Sequence, residues 1–164
     1  MKSTGEVLGI GKTFGAAYWK AQEAVTCLPT KGTVLITVTE NDHPASENVA
    51  RQFVNLGFKI LATSGTHDYL AEKGIKTIKI LKEHEGRPNI TDAIKNKEIQ
   101  LVINTPAGKL SKHDDSYIRK AAIKYKVPYI TTLTAASAAA KGIAAYLEGQ
   151  SDVRPLQEYH ADIK

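Results

Sequence analysis

From residue 33 onward, short β-branched apolar runs alternate with segments whose apolar residues recur at helical spacing, and this alternation organises the chain. Residues 33–38 have the composition of a strand buried on both faces. Glu40-Asn41-Asp42-His43-Pro44 then reads as a loop into a helix with Val49, Phe53 and Leu56 on one face and Gly57 at its end. Residues 58–62 predict a second strand, and residues 75–81 a third, more exposed because lysines interrupt it. Residues 88–97 predict a short helix with Ile90 and Ile94 inward, followed by a fourth strand, 99–104, apolar enough to be central. Residues 114–125 predict a helix burying Tyr117, Ile118, Ala121 and Ala122, then come a fifth strand at 127–133 and an alanine-rich helix at 134–147. Ahead of these, Phe14, Ala17, Tyr18, Ala21 and Val25 give one buried stripe on a helix over 13–25. Alternating strands and helices imply an α/β fold, three layers deep (α/β/α), with a five-stranded parallel sheet joined by Rossmann-type crossovers.

The stretch Leu61-Ala62-Thr63-Ser64-Gly65-Thr66 is the chain's most informative turn. It leaves a buried strand and enters a short helix over 67–74, with Thr66 as the expected N-cap and Tyr69 and Leu70 facing the core. Such a turn aims free backbone N–H groups and the positive end of a helix dipole at one point, where an anion can settle. Thr63 and Thr66 would add two hydroxyl donors. The same turn also reads as an ordinary strand-to-helix connection whose threonines only cap. Ligands of parallel sheets bind outside the C-terminal strand ends. Those ends fall at residues 38–42, 63–66, 81–83, 104–106 and 131–132, and most of them offer short polar residues or a lysine.

Composition narrows the classes of function. A chain of 164 residues suits one domain, and its 42% hydrophobic and 24% charged content is that of an ordinary globular protein. A single cysteine, Cys27, excludes an internal disulfide and fits a cytoplasmic setting. No run approaches the length of a membrane span, and the first residues lead into no signal-peptide core. The net charge of +5 is uneven: residues 73–126 carry 13 Lys or Arg against 6 Asp or Glu. That favours an anionic ligand, while the scarcity of aromatics and of binding signatures argues against nucleic acid. Gly9-Ile10-Gly11-Lys12-Thr13 suggests a phosphate-binding loop, but the position five before Gly11 is Glu6 where that motif needs glycine, so the nucleoside-triphosphatase reading is rejected.

Met1-Lys2-Ser3-Thr4-Gly5-Glu6-Val7, Ala62-Thr63-Ser64-Gly65-Thr66, His84-Glu85-Gly86-Arg87-Pro88-Asn89-Ile90 and Val102-Ile103-Asn104-Thr105 occur in this order. Together they resemble the C-terminal regulatory domain of the bacterial carbamoyl-phosphate synthetase large subunit, over essentially the whole chain down to Gln157-Glu158-Tyr159-His160-Ala161-Asp162-Ile163-Lys164. The resemblance implies a methylglyoxal-synthase-like fold, with residues 1–30 a lead-in and first helix joining the catalytic part, and 31–164 the regulatory domain. It implies an allosteric, non-catalytic module that binds a nucleoside monophosphate, UMP or IMP, with ornithine acting at the domain boundary in some members. No cofactor is implied for the domain itself; ATP, Mg or Mn, and K belong to the rest of the large subunit, which works with a glutaminase small subunit.

Matched to the family, Thr63, Ser64, Gly65 and Thr66 form the phosphate-cradling turn. Lys82 is a ligand-contacting lysine, Asn104 is an amide holding the ligand with Thr105 beside it, and Thr131 lies on the ornithine side. Two departures stand out: His43 where enterobacterial members carry a lysine, and Pro106 where they carry a threonine, which removes a hydroxyl and an N–H. The rival on the same fold is a stand-alone methylglyoxal synthase, a phosphate-eliminating lyase. That enzyme needs an acid in a Gly-Gly-Asp-Gln-Gln segment, where this chain has Asn89, which cannot shuttle a proton at neutral pH. His113-Asp114-Asp115 echoes a histidine–aspartate pair of that enzyme only loosely.

Overall fold

Strand β1 (Thr33–Thr37) is the middle of the sheet: Val34, Leu35 and Ile36 are fully buried and point alternately into two apolar layers. In the computed structural model, which describes residues 6–105, 112–150 and 153–161 (side chains from 116 onward in the second span), four more strands run parallel to it. These are β2 (Lys59–Ala62), β3 (Ile78–Lys79), β4 (Leu101–Asn104) and β5 (Tyr129–Ile130), in the order β3-β2-β1-β4-β5. The register sets Ile36 beside Ala62 and Thr37 beside Asn104, so the strands end along a common edge.

Among the described residues there are seven α-helices, α1 (Phe14–Val25), α2 (His43–Asn55), α3 (Ser64–Glu72), α4 (Ile90–Lys95), α5 (Lys112–Lys124), α6 (Leu133–Leu147) and α7 (Leu156–Ala161), and two single 3-10 turns at Glu40–Asp42 and Glu83–Glu85. Val34, Ile36 and Ile60 pack against Trp19 of α1, Val49 and Phe53 of α2, Leu70 of α3 and Ile143 of α6. On the opposite face Leu35 and Val102 pack against Ile90 and Ile94 of α4 and Ile118 and Ala122 of α5. The three-layer α/β/α architecture expected from the alternation is therefore present. Its outer strands are shorter than expected, two residues each, because edge strands have a neighbour on one side only.

Several expected details are corrected. Helix α1 buries Gly15, Ala16 and Trp19, whereas Phe14 and Val25 are exposed. A side chain on Gly15 would stand 2.6 Å from the Lys141 carbonyl oxygen, and Gly142 faces Tyr18, so α1 and α6 touch backbone to backbone along small residues. Trp19 stacks on Tyr146 at 4.3 Å between ring centres, which keys the same pair of helices. Ahead of α1, Gly9, Ile10 and Gly11 are half-buried while Val7 and Leu8 are exposed: a Cβ on Gly11 would lie 2.7 Å from Ala17 N, and the Tyr159 hydroxyl of α7 donates to Ile10 O at 3.4 Å. Residues 1–5 lie outside the described residues. Tyr117 of α5 is exposed rather than inward, while Ile118, Ala121 and Ala122 are buried as expected.

The helices end in a shared way. After α2, Phe58 N–H bonds to Phe53 O and Gly57 N–H to Val54 O, with Gly57 at φ +85°; after α3, Ile75 and Gly74 repeat the pattern on Leu70 and Ala71. This is the Schellman arrangement, in which a left-handed residue closes the last turn and two apolar side chains meet across it. At the end of α5 the left-handed residue is Lys126, at φ 56°, with Lys126 N–H on Ile123 O and Val127 N–H on Ala122 O. A non-glycine residue there costs about 1–2 kcal/mol, while glycine loosens the unfolded chain by about 0.4–1 kcal/mol. Lys126→Gly is thus expected to raise stability by about 0.5–1 kcal/mol, read as a higher urea midpoint at unchanged m-value.

Candidate functional site

The chain reverses its direction of travel across the sheet between β1 and β4. From β1 it moves outward through β2 and β3, then returns to lay β4 and β5 on the other side. At such a switch point the flanking loops part and leave a crevice at the C-terminal strand ends. The residues bordering it are Thr37-Val38-Thr39 at the end of β1 and Asn104-Thr105 at the end of β4. Thr63 follows β2 next door, and Ile80 N–H bonding to Ala62 O carries the edge on to Lys82.

Side-chain alternation sorts these residues further. Leu35, Leu61, Ile80, Val102 and Tyr129 face the α4–α5 layer. Thr37, Thr63, Lys82 and Asn104 each lie two positions beyond one of them and so sit over the same face. Thr63, Lys82 and Asn104, drawn from three separate strands, are brought to one edge and one side of the sheet. From β3 to β4 is three strand spacings, about 14 Å, so Lys82 and Asn104 address different ends of whatever lies across the rim.

The threonines do something other than expected. Thr63, not Thr66, is the N-cap of α3, and Thr66 lies inside its first turn. The Thr63 hydroxyl is 3.0 Å from the Thr37 hydroxyl; Thr66 Oγ1 accepts from Val38 N–H at 3.2 Å and donates to Val38 O at 3.4 Å. Thr105 Oγ1 accepts from Thr39 N–H at 3.2 Å, and Thr105 N–H donates to Thr37 O at 3.1 Å. All of these hydroxyls belong to buried residues. They lace the strand ends together and fix the rim rather than reaching out from it. Thr37 and Thr39 carry half of this lacing and were not singled out from the sequence. Only the neighbouring β1 register would have pointed to them.

What the turn presents outward is backbone. The first intrahelical bond of α3 is His67 N–H to Thr63 O at 2.7 Å, so the N–H groups of Ser64, Gly65 and Thr66 precede it and have no acceptor within the helix. Gly65 is exposed. His43, the first residue of α2, reaches the same turn: its ring stacks on Tyr69 at 4.9 Å, and its Cε1 lies 4.0 Å from where a Gly65 Cβ would stand. Asn104 is buried and its Nδ2 donates to the Tyr129 hydroxyl at 2.7 Å. Thr131 follows β5 at the same edge, one strand beyond Asn104. Pro106 lies outside the described residues, as do the side chains of His113, Asp114 and Asp115.

Two acidic groups near this edge are engaged within the chain. Asp42 Oδ2 accepts from the Thr39 hydroxyl at 3.1 Å, and Glu85 Oε2 accepts from Lys82 N–H at 2.8 Å. Asn89, at the place where the lyase needs an acid, caps α4: its Oδ1 accepts from Asp92 N–H at 3.1 Å and its Nδ2 donates to Gly86 O at 3.0 Å. A groove of about 650 Å³ between α1, α2 and α6 includes none of the expected site residues. Its walls are mostly apolar and small, with Lys141 at the edge, so the convergence of donors, not this hollow, marks the candidate site.

The sequence description of the MGS-like domain matches residues 46–131. The chain belongs to the MGS-like domain family. Over 161 residues, 98% of its length, this MGS-like domain is 50% identical to part of the carbamoyl phosphate synthase large chain of Gemmatimonas aurantiaca. It is 49% identical over 162 residues to the C-terminal section of that large chain in Methanopyrus kandleri. The domain spans 15% of the first relative and 30% of the second. Among solved structures, methylglyoxal synthase from Elizabethkingia anophelis NUHP1 superposes with a TM-score of 0.56 at 16% identity, covering 81% of this chain and 92% of that one, which establishes the shared fold. No helix among the described residues is long and apolar enough to cross a membrane.

Proposed function

We propose that this MGS-like domain is the effector-binding unit of a carbamoyl-phosphate synthase large chain, taking a nucleoside monophosphate, UMP or IMP, at the C-terminal edge of its sheet. The observation that carries the reading is the placement of the residue 63–66 turn, Lys82 and Asn104 along one edge beside the β1–β4 switch point. In this reading the phosphate docks on the N–H groups that open α3, where the helix dipole favours an anion, and Lys82 supplies a positive charge. His43, against the same turn, stands in for the lysine of other members. Asn104 holds the nucleoside, with Thr105 and the other threonines keeping the edge in shape, and Thr131 faces the ornithine side. Regulation then follows if the nucleotide binds one arrangement of this domain against its neighbour more tightly than another, a coupling typically worth about 1–3 kcal/mol. The catalytic portions of the large chain, with their ATP, Mg or Mn and K, and the glutaminase small subunit are the partners so regulated, in carbamoyl phosphate synthesis for pyrimidines and arginine.

A thermal-shift and calorimetric panel of UMP, IMP and ornithine tests this directly. One nucleotide should raise the melting temperature saturably. Lys82→Ala should weaken its binding about 10- to 100-fold, the range of a lost charge-assisted hydrogen bond. Absence of any nucleotide binding would remove the reading, and conversion of dihydroxyacetone phosphate to methylglyoxal would replace it with the lyase.

A further inference from the structure

Among the residues matched to the effector site, His43 is the one whose side-chain type changes charge between about pH 5 and pH 8. His43 is half-buried, and its ring stacks on Tyr69 with 4.9 Å between centres at 21°. The His43 atom closest to the α3 turn is Cε1, 4.0 Å from where a Gly65 Cβ would stand. Cε1 is the carbon between the two ring nitrogens, so the edge of the ring that takes a proton borders the turn. Among the described residues no hydrogen bond engages either nitrogen. His43 is the first residue of α2 and Gly65 the second of α3, so the positive ends of two helix dipoles adjoin the ring. A phosphate dianion on the turn reverses the sign of the charge it meets.

The other charged and titratable groups on the elements packed around it are these. The turn before α2 carries Glu40 and Asp42, α2 carries Glu47 and Arg51, and α3 carries His67, Asp68, Glu72 and Lys73. Lys59 opens β2, and Lys141 lies on α6. Asp42 is held by the Thr39 hydroxyl, Glu47 pairs with Arg51 at 2.9 Å, and His67 Nδ1 is 2.6 Å from the Thr77 hydroxyl. Lys73 Nζ lies 5.5 Å from the centre of the Tyr69 ring, so that ring already carries one cation. None of these contacts is made with the His43 ring.

We propose, on the basis of the nucleotide site described above, that effector binding is proton-linked through His43. As the phosphate dianion docks on the α3 turn, the imidazole takes up one proton from solvent on its open nitrogen, and the imidazolium then faces the phosphate. An opposite charge within about 4–6 Å favours the charged form of a titrating group, and the Tyr69 ring face supports a cation stacked on it. Binding therefore tightens as the pH falls from about 8 to about 7 and weakens as it rises. A lysine at this position keeps its charge throughout that range, so the histidine gives this chain a pH dependence that lysine-bearing members lack.

The test is calorimetry on the full chain with UMP or IMP, whichever the wild type binds more tightly. At about pH 7.5 the free nucleotide is almost wholly dianionic, since its second phosphate ionisation lies near pH 6. Titrations in buffers of different ionisation enthalpy should therefore show an uptake of about half a proton per nucleotide bound. Affinity should be about 2- to 6-fold higher at pH 7 than at pH 8. His43→Gln, always neutral, and His43→Lys, always charged, should each take up no proton and bind equally at the two pH values. At pH 7 the glutamine variant should bind more weakly than the wild type, and at pH 8 the lysine variant at least as tightly. Equal melting temperatures for the three chains exclude misfolding as the cause. No proton uptake by the wild type, or an uptake that persists in His43→Gln, would overturn the linkage while leaving the nucleotide site in place. A wild-type chain that binds no nucleotide at either pH would overturn the site itself, and the linkage with it.

Discussion

Phe53→Ala is expected to remove about 3–5 kcal/mol of folding stability, the range for emptying a buried phenylalanine site. That is a large share of the 5–15 kcal/mol that holds a typical domain folded. Phe53 is fully buried in the layer that contains Val34, Ile36, Ile60 and Ile143. It also occupies a special place in the chain. Its carbonyl accepts the Phe58 N–H that closes α2, and its ring meets the Phe58 ring edge-on, 5.5 Å between centres at 86°. The same side chain therefore fills the core and clasps the reversal through Gly57 that feeds β2. Since β2 leads directly into the residue 63–66 turn, the loss should also blur the candidate site. Chemical denaturation should show the midpoint falling, and nucleotide affinity measured well below the new midpoint should fall with it. A loss under about 1 kcal/mol, less than a mild core trimming, would mean that α2 packs less tightly on the sheet than its burial indicates.

The alternation of strands and helices was legible because burial on both faces forces near-continuous apolar runs, and Val34-Leu35-Ile36 and Leu101-Val102-Ile103 are such runs. The polar strand ends were legible too, since a closed core has no use for an amide and an ammonium at its edge. What was not legible depended on contacts between segments far apart in sequence. On α1 the large apolar residues suggested the buried stripe, yet the buried face is Gly15, Ala16 and Trp19. The reason lies far along the sequence in α6, where Lys141 O and Ala145 come so close to α1 that only glycine fits at position 15, and Gly142 leaves room for the Tyr18 ring. Thr66 looked like a cap and Thr63 a ligand donor because the turn was read alone. Both hydroxyls are engaged at the end of β1, by Thr37 and Val38, which only the sheet register places beside them. Tyr129 gave no signal at all: it lies 25 residues from Asn104, and one aromatic on a short edge strand looks like packing. The closing helix α7, whose Tyr159 reaches back to Ile10, was hidden for the same reason.

Gly65→Asp should separate stability from binding at the α3 turn. The position tolerates a side chain: the nearest atom to an added Cβ is His43 Cε1 at 4.0 Å, ordinary van der Waals contact, and Gly65 is not among the glycines with positive φ. As the second residue of α3, an aspartate meets the positive end of the helix dipole, a gain of about 0.3–1 kcal/mol. The folded chain should thus be as stable as before or slightly more so. A docked phosphate would meet a like charge at roughly 5 Å, costing about 3 kcal/mol at an effective dielectric of 20, or about a 100-fold loss of affinity. Gly65→Asn supplies nearly the same volume without the charge and should lose far less. Raising the ionic strength should recover part of the aspartate variant's loss, because the turn is open to solvent and its charges are screened. If the aspartate and asparagine variants bound UMP equally well, the phosphate would have to lie elsewhere than on the N–H groups of Ser64 and Gly65. The opposed signs make the test decisive, since a variant that binds poorly because it is badly folded would melt earlier, and this one should not.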